Sequence, residues 1–350
     1  MSDNNIYDLP DKTADPEAFK ARIQRFYGYW NRRVDGSPFG EVSLFMNWGY
    51  LPSGQDEALQ TPRPDAVNAS SVRLILELVG DTGIAGTDVL DVGCGRGGTV
   101  QTLLDYFNPR QVTGLDLTPE NIAFCRKAVD APRSRFMEGD AEQLPFADES
   151  FDIVTNVESS HCYPNVARFY REVARVLRPG GTFLYTDVFD STEVTQRRRE
   201  MGQCGLDVLI DRDITQNVLL ARAAEGNVQL GELEGAPASG SDDAADQSDA
   251  RVLDLVVARP GSEMHVAMNE GRLGYRILRA RKRKPLASRL QAGTEPDRSG
   301  RRFCQKRCDI MADHATGGRP VTNGKRPNPV SRRIGFEVPS AREARARRQV

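Results

Sequence analysis

The stretch from Asp88 to Gly98, D-V-L-D-V-G-C-G-R-G-G, decides the fold of this chain. It reads as a short apolar strand that delivers a carboxylate, Asp91, into a tight turn built on Gly93 and Gly95. Glycine accepts backbone dihedrals that other residues resist, and it lets a ligand approach the main chain closely. The spacing also satisfies the dinucleotide pattern G-x-G-x-x-G. An acid at position 91, however, suits a ligand that carries a positive amino group.

The segments that follow appear in the order that a parallel α/β sheet requires. Residues 111–116, Q-V-T-G-L-D, read as a buried strand ending in Asp116, a carboxylate that can accept both hydroxyls of a ribose. Ligands of open α/β sheets bind at the carboxyl ends of the strands, so this acid belongs beside the glycine turn. Residues 139–146, G-D-A-E-Q-L-P-F, form an acidic turn suited to an adenine amino group. The remaining core elements are a fourth strand at 150–156, a helix at 168–177 and a strand at 182–186.

Residues 20–283 resemble the class I S-adenosylmethionine-dependent methyltransferases, and the match is strongest over 88–186. The run 156–164, N-V-E-S-S-H-C-Y-P, resembles more narrowly the O-methyltransferases that tailor polyketides and lipids, of the phthiotriol/phenolphthiotriol dimycocerosate methyltransferase type. The resemblance implies an α/β, Rossmann-like sheet of seven mostly parallel strands with helices on both faces. Its sixth strand is expected at 205–214, and its last strand, at 274–282, is expected to insert antiparallel beside it.

The resemblance also implies a binding site for S-adenosylmethionine. Gly93 and Gly95 would let the backbone pass the methionine moiety, while Asp91 orients its amino group. Asp116 would take the ribose hydroxyls, and Asp140 would accept from the adenine amine. Methyl transfer chiefly requires donor and acceptor to be held in line, so the motifs concern binding more than bond making. The predicted cofactor-binding residues are Asp91, Gly93, Gly95, Asp116, Leu117, Asp140, Ala141 and Asn156.

Two residues just beyond the fourth strand are the candidate catalytic groups. His161 is the only histidine of the core, and an imidazole, which titrates near pH 6.5, can take the proton of an attacking hydroxyl. The alternative is that His161 only packs against, or orients, the loop at Tyr163 and Pro164. Glu158 is the second candidate, either orienting His161 or contacting the substrate.

Composition favours a cytoplasmic, reduced protein. The chain has 350 residues and six cysteines, which lack the spacing of a disulfide framework. No run approaches the roughly 20 apolar residues of a membrane span, and the amino terminus lacks the features of a signal peptide. We expect no bound metal, because Cys304, Cys308 and His314 have no fourth ligand beside them.

Four segments are predicted along the chain: a disordered terminus at 1–17, a helical lid and acceptor-site segment at 18–65, the methyltransferase domain at 66–284 with a flexible linker at 231–249, and a basic, disordered tail at 285–350. The lid combines an amphipathic helix at 16–30 with an aromatic cluster at 45–50, F-M-N-W-G-Y. These aromatic residues either shape the acceptor pocket or only cap the core. A helix at 66–80, ending at glycine, leads into the sheet.

The tail differs sharply in charge from the rest of the chain. Residues 281–350 contain 19 Lys/Arg and 6 Asp/Glu, although the net charge of the whole chain is −2. The tail shows no hydrophobic periodicity and is rich in Arg, Gly and Pro, a composition typical of disorder. It is either a basic arm for an acidic partner or an extension past a natural end near Lys284.

The sequence therefore predicts a methyltransferase that acts on a hydroxyl of a small molecule, such as a polyketide or lipid. A carbon acceptor, as in sterol and quinone methyltransferases, is the alternative within the class. From another class, a catalytically silent cofactor-binding protein with a partner-recruiting tail is the second alternative. A nucleic-acid acceptor is disfavoured, because residues 156–159 read N-V-E-S where DNA amino-methyltransferases carry Asp/Asn-Pro-Pro-aromatic. The oligomeric state is left open.

Overall fold

The computed structural model describes residues 12–36, 40, 43–53, 60–234 and 258–285. This part of the chain is built on a seven-stranded sheet with the order β3-β2-β1-β4-β5-β7-β6. Strand β7 runs antiparallel to both of its neighbours, and the other pairs are parallel, so the predicted Rossmann-like fold is confirmed. The strands are β1 (Asp88–Val92), β2 (Gln111–Asp116), β3 (Ser134–Glu138), β4 (Phe151–Val157), β5 (Leu177–Asp190), β6 (Leu206–Asp213) and β7 (Leu273–Lys282).

Helices cover both faces of this sheet. Because side chains alternate along a strand, Val89 of β1 joins one buried cluster, with α2, α3, α4, α7 and α8, while Leu90 and Val92 join the other, with α5 and α6. The helices are α1 (Pro16–Asp35), α2 (Ala69–Val79), α3 (Gly98–Tyr106), α4 (Pro119–Ala128), α5 (Val166–Val176), α6 (Val194–Gln203), α7 (Thr215–Glu234) and α8 (Glu263–Asn269).

Helix α1 is the predicted amphipathic helix of the lid, extended to Asp35. It begins where the Asp15 side chain accepts a hydrogen bond from the amide of Ala18, and proline occupies the first helical position. Both features are standard helix starts, because the first amides of a helix have no partner within it. The helix therefore begins inside the segment 1–17 that was predicted to be disordered, and residues 1–11 of that segment lie outside the described part.

Other boundaries differ from the predictions for local reasons. Helix α7 continues through residues 231–234, the start of the predicted linker, since Glu and Leu are strong helix formers. Strand β5 is longer than 182–186, because its pairing with β7 continues as far as Asp190 and Leu273. Helix α2 starts at Ala69 rather than 66, after a left-handed Asn68. The rest of the predicted linker and residues 286–350 of the predicted tail lie outside the described residues.

None of the helices in the described residues is long and apolar enough to cross a membrane. Within the same residues, no group of three or more His, Cys, Asp or Glu side chains is arranged to hold a metal ion.

Candidate active site

A cavity of about 510 Å³ opens at the carboxyl edge of the sheet, a volume within the usual range of small-molecule sites. The loops that follow strands β1 to β5 line it, and α1 contributes a wall. Asp91 and Asn156 are buried and do not line the cavity. The other predicted site residues all line it: Gly93, Gly95, Asp116, Leu117, Asp140, Ala141, Glu158 and His161.

The turn after β1 requires its glycines. Gly93 and Gly95 have φ values of +70° and +52°, in the left-handed region that side chains disfavour. A Cβ atom on Gly93 would also lie 2.6 Å from the Cβ of Ser159 and 2.9 Å from the hydroxyl of Tyr163. Gly93 lines the cavity, and the space beside its Cα is already occupied by Ser159 and Tyr163, so no side chain fits at position 93.

Two buried acceptor atoms near the ends of β1 and β4 lack a partner among the described residues. The Oδ1 atom of Asp91 accepts a hydrogen bond from Thr155 Oγ1 at 2.6 Å, but its Oδ2 has no donor. Asn156 donates to Val92 O at 2.8 Å, and its Oδ1 is likewise unsatisfied. Burial raises the pKa of Asp91 to about 7 against the lowering effect of the hydrogen bond from Thr155, and the nearby Asp116 adds a smaller upward contribution. Buried unsatisfied acceptors are rare, and these fit a ligand with an ammonium group.

Asp116, at the end of β2, is held by three protein donors. Its Oδ2 accepts from the amide of Gly95 at 2.8 Å, and its Oδ1 accepts from the amide of Thr118 at 2.8 Å and from Asn121 Nδ2 at 3.0 Å. Burial raises the pKa of this carboxyl against these hydrogen bonds. A carboxylate offers about four acceptor positions, so about one remains. Acceptance of both ribose hydroxyls, as predicted, would require one protein donor to give way.

The acidic turn after β3 is ion-paired with the lid. Lys20 of α1 lies 2.7 Å from Asp140 Oδ2 and 3.3 Å from Glu142 Oε2. The Asp140 Oδ1 atom accepts from the amide of Glu142 at 2.8 Å, which fixes the turn. Leu117 is held from the same helix, because Gln24 Nε2 donates to its carbonyl at 2.8 Å. Helix α1 thus contacts the loops after both β2 and β3.

His161 forms a pair with a carboxylate that the sequence reasoning missed. Its Nδ1 lies 2.8 Å from Oδ1 of Asp187, which is fully buried, while the imidazole is 38% exposed. The hydroxyl of Ser160 donates to Asp187 Oδ2 at 2.6 Å. Burial lowers the pKa of His161, but Cys162 and Asp187 act in the opposite direction and raise it well above its ordinary value. Burial alone would raise the pKa of Asp187, yet His161 and the other donors hold it below its usual range.

Glu158 does not hydrogen-bond His161, which corrects the prediction that it orients the imidazole. Its Oε1 accepts from the amide of Trp48 at 2.6 Å and from the hydroxyl of Tyr275. Burial raises the pKa of Glu158 to about 7, against these two hydrogen bonds. The backbone of Glu158 has a φ of +46°, an uncommon conformation for a residue other than glycine. Because Glu158 lines the cavity, contact with a substrate stays a prediction for it.

Of the residues near the cavity that the sequence did not predict, only Asp187 has a recognisable sequence signal. Asp187 directly follows the predicted strand 182–186, so the rule that located Asp91 and Asp116 at strand ends applies to it equally. The contacts of Lys20 and Gln24 depend on where α1 docks, and no local pattern reports that.

Comparison with known proteins identifies the class of protein. Residues 90–185 match the family model described as "Methyltransferase domain". The chain is 36% identical over 198 residues to a probable phthiotriol/phenolphthiotriol dimycocerosates methyltransferase of Mycobacterium ulcerans, covering 56% of this chain and 76% of the relative. It is 39% identical over 204 residues to a fatty-acid O-methyltransferase of Mycolicibacterium smegmatis, covering 58% and 71%.

Among solved structures, the cyclase SpnF aligns with a TM-score of 0.57 and 22% identity, over 76% of this chain and 97% of that one. This likeness shows the fold alone. The fold, the cavity and the relatives together define an S-adenosylmethionine-dependent methyltransferase. Within that class the chain belongs to the family of the mycobacterial phthiotriol/phenolphthiotriol dimycocerosates methyltransferases, which confirms the predicted resemblance and cofactor.

Proposed function

We propose that this methyltransferase transfers a methyl group to a hydroxyl of a lipid or polyketide-like small molecule, with His161 as general base and Asp187 as its positioning residue. The observation that carries the proposal is the 2.8 Å contact between His161 Nδ1 and Asp187 Oδ1, at the wall of the cavity. Relatives named for phthiotriol and phenolphthiotriol dimycocerosates and for fatty-acid O-methylation support this acceptor class.

The order of the strands separates two halves of the cavity. With the exception of Asn156 on β4, the predicted cofactor-binding residues lie on or after β1, β2 and β3, whereas His161 follows β4, and the strands beyond it are β5 and β7. The cavity residues from β5, α8 and β7 are mostly apolar: Val188, Phe189, Met264 and Leu273. An acceptor with a hydrocarbon body fits this side, with its hydroxyl near His161.

The residues can hold the cofactor and move one proton. When bound, S-adenosylmethionine supplies a methyl group activated by a sulfonium sulfur. Asp91 and Asn156 offer unsatisfied acceptors for its ammonium group. With Nδ1–H donated to Asp187, Nε2 of His161 is the nitrogen that takes the hydroxyl proton, and the buried carboxylate stabilises the resulting imidazolium.

The proposal predicts a specific pH dependence. Only neutral His161 can accept a proton, so kcat/KM should rise with pH to an apparent pKa above the ordinary 6.5. Asp187→Asn should move this limb to lower pH, because the carboxylate that favours the imidazolium is gone. It should also lower the plateau, and His161→Ala should reduce turnover by about 10²- to 10⁴-fold.

Calorimetry with S-adenosylhomocysteine separates the base from the cofactor site. Both variants should retain the wild-type affinity within about twofold. His265→Gln, which alters a histidine of α8 whose Nδ1 lies 3.1 Å from Asn269 Nδ2, is the matched control and should change neither readout. Wild-type turnover in His161→Ala would reject the base, and a product methylated on carbon would reject the hydroxyl acceptor. Trials on a lipid alcohol, a phenol and a fatty acid, with the product identified by NMR, make that distinction.

A further inference from the structure

Helix α1 presents a polar row to the adenosine side of the cavity. Lys20, Gln24 and Asn31 lie four and seven residues apart, a spacing that places them on one face of a helix. Each contacts a different part of that edge. Lys20 pairs with Asp140, Gln24 donates to the carbonyl of Leu117, and Asn31 donates to Asn121 Oδ1 at 2.7 Å. The predicted adenosine-contacting residues are therefore held, directly or through one neighbour, by α1.

The contact made by Asn31 closes a hydrogen-bonded ring. Asn121 in turn binds Asp116, since its Nδ2 donates to Asp116 Oδ1 at 3.0 Å. The other oxygen of Asp116 accepts from the amide of Gly95. Arg96, the next residue along the chain, donates from Nη1 to Asn31 Oδ1 at 2.6 Å, which returns the ring to α1.

The ring is buried, and its geometry fixes the orientation of both amides. Its four side chains are between 1% and 8% exposed. The neighbours fix which way each side-chain amide points. The guanidinium of Arg96 can only donate, so it faces the oxygen of Asn31, and the carboxylate of Asp116 accepts, so it faces the NH₂ group of Asn121. A reversed amide would face donor with donor, so the docked position of α1 and the orientation of Asp116 are linked.

We infer that Asn31 and Asn121 are positioning residues that transmit the docking of α1 to Asp116 and thereby set its recognition of the cofactor ribose. The inference rests on the assignment of Asp116 to the ribose. It makes α1 part of the cofactor site, although neither Asn31 nor Asn121 needs to contact the ligand.

The test compares affinities for S-adenosylhomocysteine with those for its 2′-deoxy and 3′-deoxy ribose analogues. Wild type should bind at least one deoxy analogue about tenfold or more weakly, the usual loss when a hydrogen bond to a charged group is removed. Asn31→Ala should weaken the binding of S-adenosylhomocysteine by about the same factor and the binding of the deoxy analogue much less. The ratio of the two dissociation constants should therefore fall towards one. Asn121→Ala breaks the same ring from α4 and should do likewise.

A purely structural role for Asn31 gives a different result. The affinities for both ligands would then fall by the same factor and their ratio would stay at its wild-type value. That result would overturn the inference. Arg25→Ala, on the exposed side of α1, is the control and should leave the ratio unchanged. Thermal melting of each variant verifies folding before affinities are compared, and the two asparagine variants provide independent attempts.

Asp116→Ala distinguishes this inference from its premise. If that variant retains the wild-type ratio, Asp116 does not read the ribose and the premise is wrong. If it loses the ratio while Asn31→Ala and Asn121→Ala keep it, the assignment of Asp116 stands and only the coupling to α1 fails. None of these measurements involves turnover, so they do not depend on the acceptor or on His161.

Discussion

Replacing Asp91 by asparagine should stabilise the ligand-free protein as the pH rises, while weakening the binding of the cofactor. Asp91 is 1% exposed, and burial raises its pKa to about 7. In the unfolded chain the same carboxyl ionises near pH 4. Between these values the folded state binds a proton that the unfolded state has released, so stability falls with rising pH.

The size of this effect follows from the shift. At 1.36 kcal/mol per pKa unit, the loss amounts to roughly 4 kcal/mol once the pH exceeds 7, of which about 2.5 kcal/mol falls between pH 5 and pH 8. Asp91→Asn cannot ionise and lacks this loss. The difference in unfolding free energy between variant and wild type should therefore change by about 2.5 kcal/mol, in favour of the variant, from pH 5 to pH 8. Urea titrations of the ligand-free proteins at four pH values measure it.

Cofactor binding should respond in the opposite direction. An ammonium group beside the unsatisfied Oδ2 of Asp91 forms a charge-assisted hydrogen bond worth about 1.5–3 kcal/mol, so the variant should bind S-adenosylhomocysteine roughly 10- to 150-fold more weakly. Wild type should also release a proton on binding below pH 7, which calorimetry in two buffers detects. The control is Asp148→Asn, because the side chain of Asp148 is 75% exposed. This substitution should alter the free energy of unfolding by less than about 0.5 kcal/mol at every pH. Parallel stability curves for wild type and Asp91→Asn, or equal affinities, would refute the reasoning.

Two substitutions test the glycine turn and its attachment to the lid. Gly93→Ala should abolish measurable binding of S-adenosylhomocysteine in calorimetry, because its φ of +70° and the contact with Ser159 force the turn to move; Gly202→Ala in α6, which meets open space, should bind normally. Arg96→Met should lower the urea-unfolding free energy by about 3 kcal/mol, since it removes four hydrogen bonds from a buried guanidinium. A decrease in the unfolding free energy of less than about 0.5 kcal/mol would show that Arg96 does not stabilise the packing of α1.

The sheet and its glycine turn were predictable because their signals are local. A strand of apolar residues, a carboxylate and then glycine is written in consecutive residues, and parallel topology brings such strand ends to one edge. Asp91, Gly93 and Asp116 follow from this rule. Asp187 follows from it too, but its role does not, because its pairing with His161 depends on β4 and β5 being neighbours.

The contacts of the lid could not be read in the same way. Amphipathicity correctly assigned Phe19, Ile23 and Trp30 to the buried side of α1. The same logic treats polar residues such as Lys20 and Asn31 as solvent-facing, yet Asn31 is 2% exposed. A helix that docks on the polar edge of a sheet buries polar residues against polar loops, and only the tertiary arrangement shows which side of the helix does so.

The residues predicted to bind the two halves of the cofactor consequently differ in how they are positioned. Asp91, Gly93 and Asn156 are presented by β1, β4 and the turn between strand and helix, all fixed by the sheet. Asp140 and Asp116, by contrast, have hydrogen bonds that lead to α1. Any movement of α1 must break those links before it changes the sheet, because they are side-chain contacts and the sheet is a backbone ladder. The residues predicted to bind adenosine therefore depend on side-chain contacts with α1, whereas those predicted to bind the methionine moiety are positioned by the sheet.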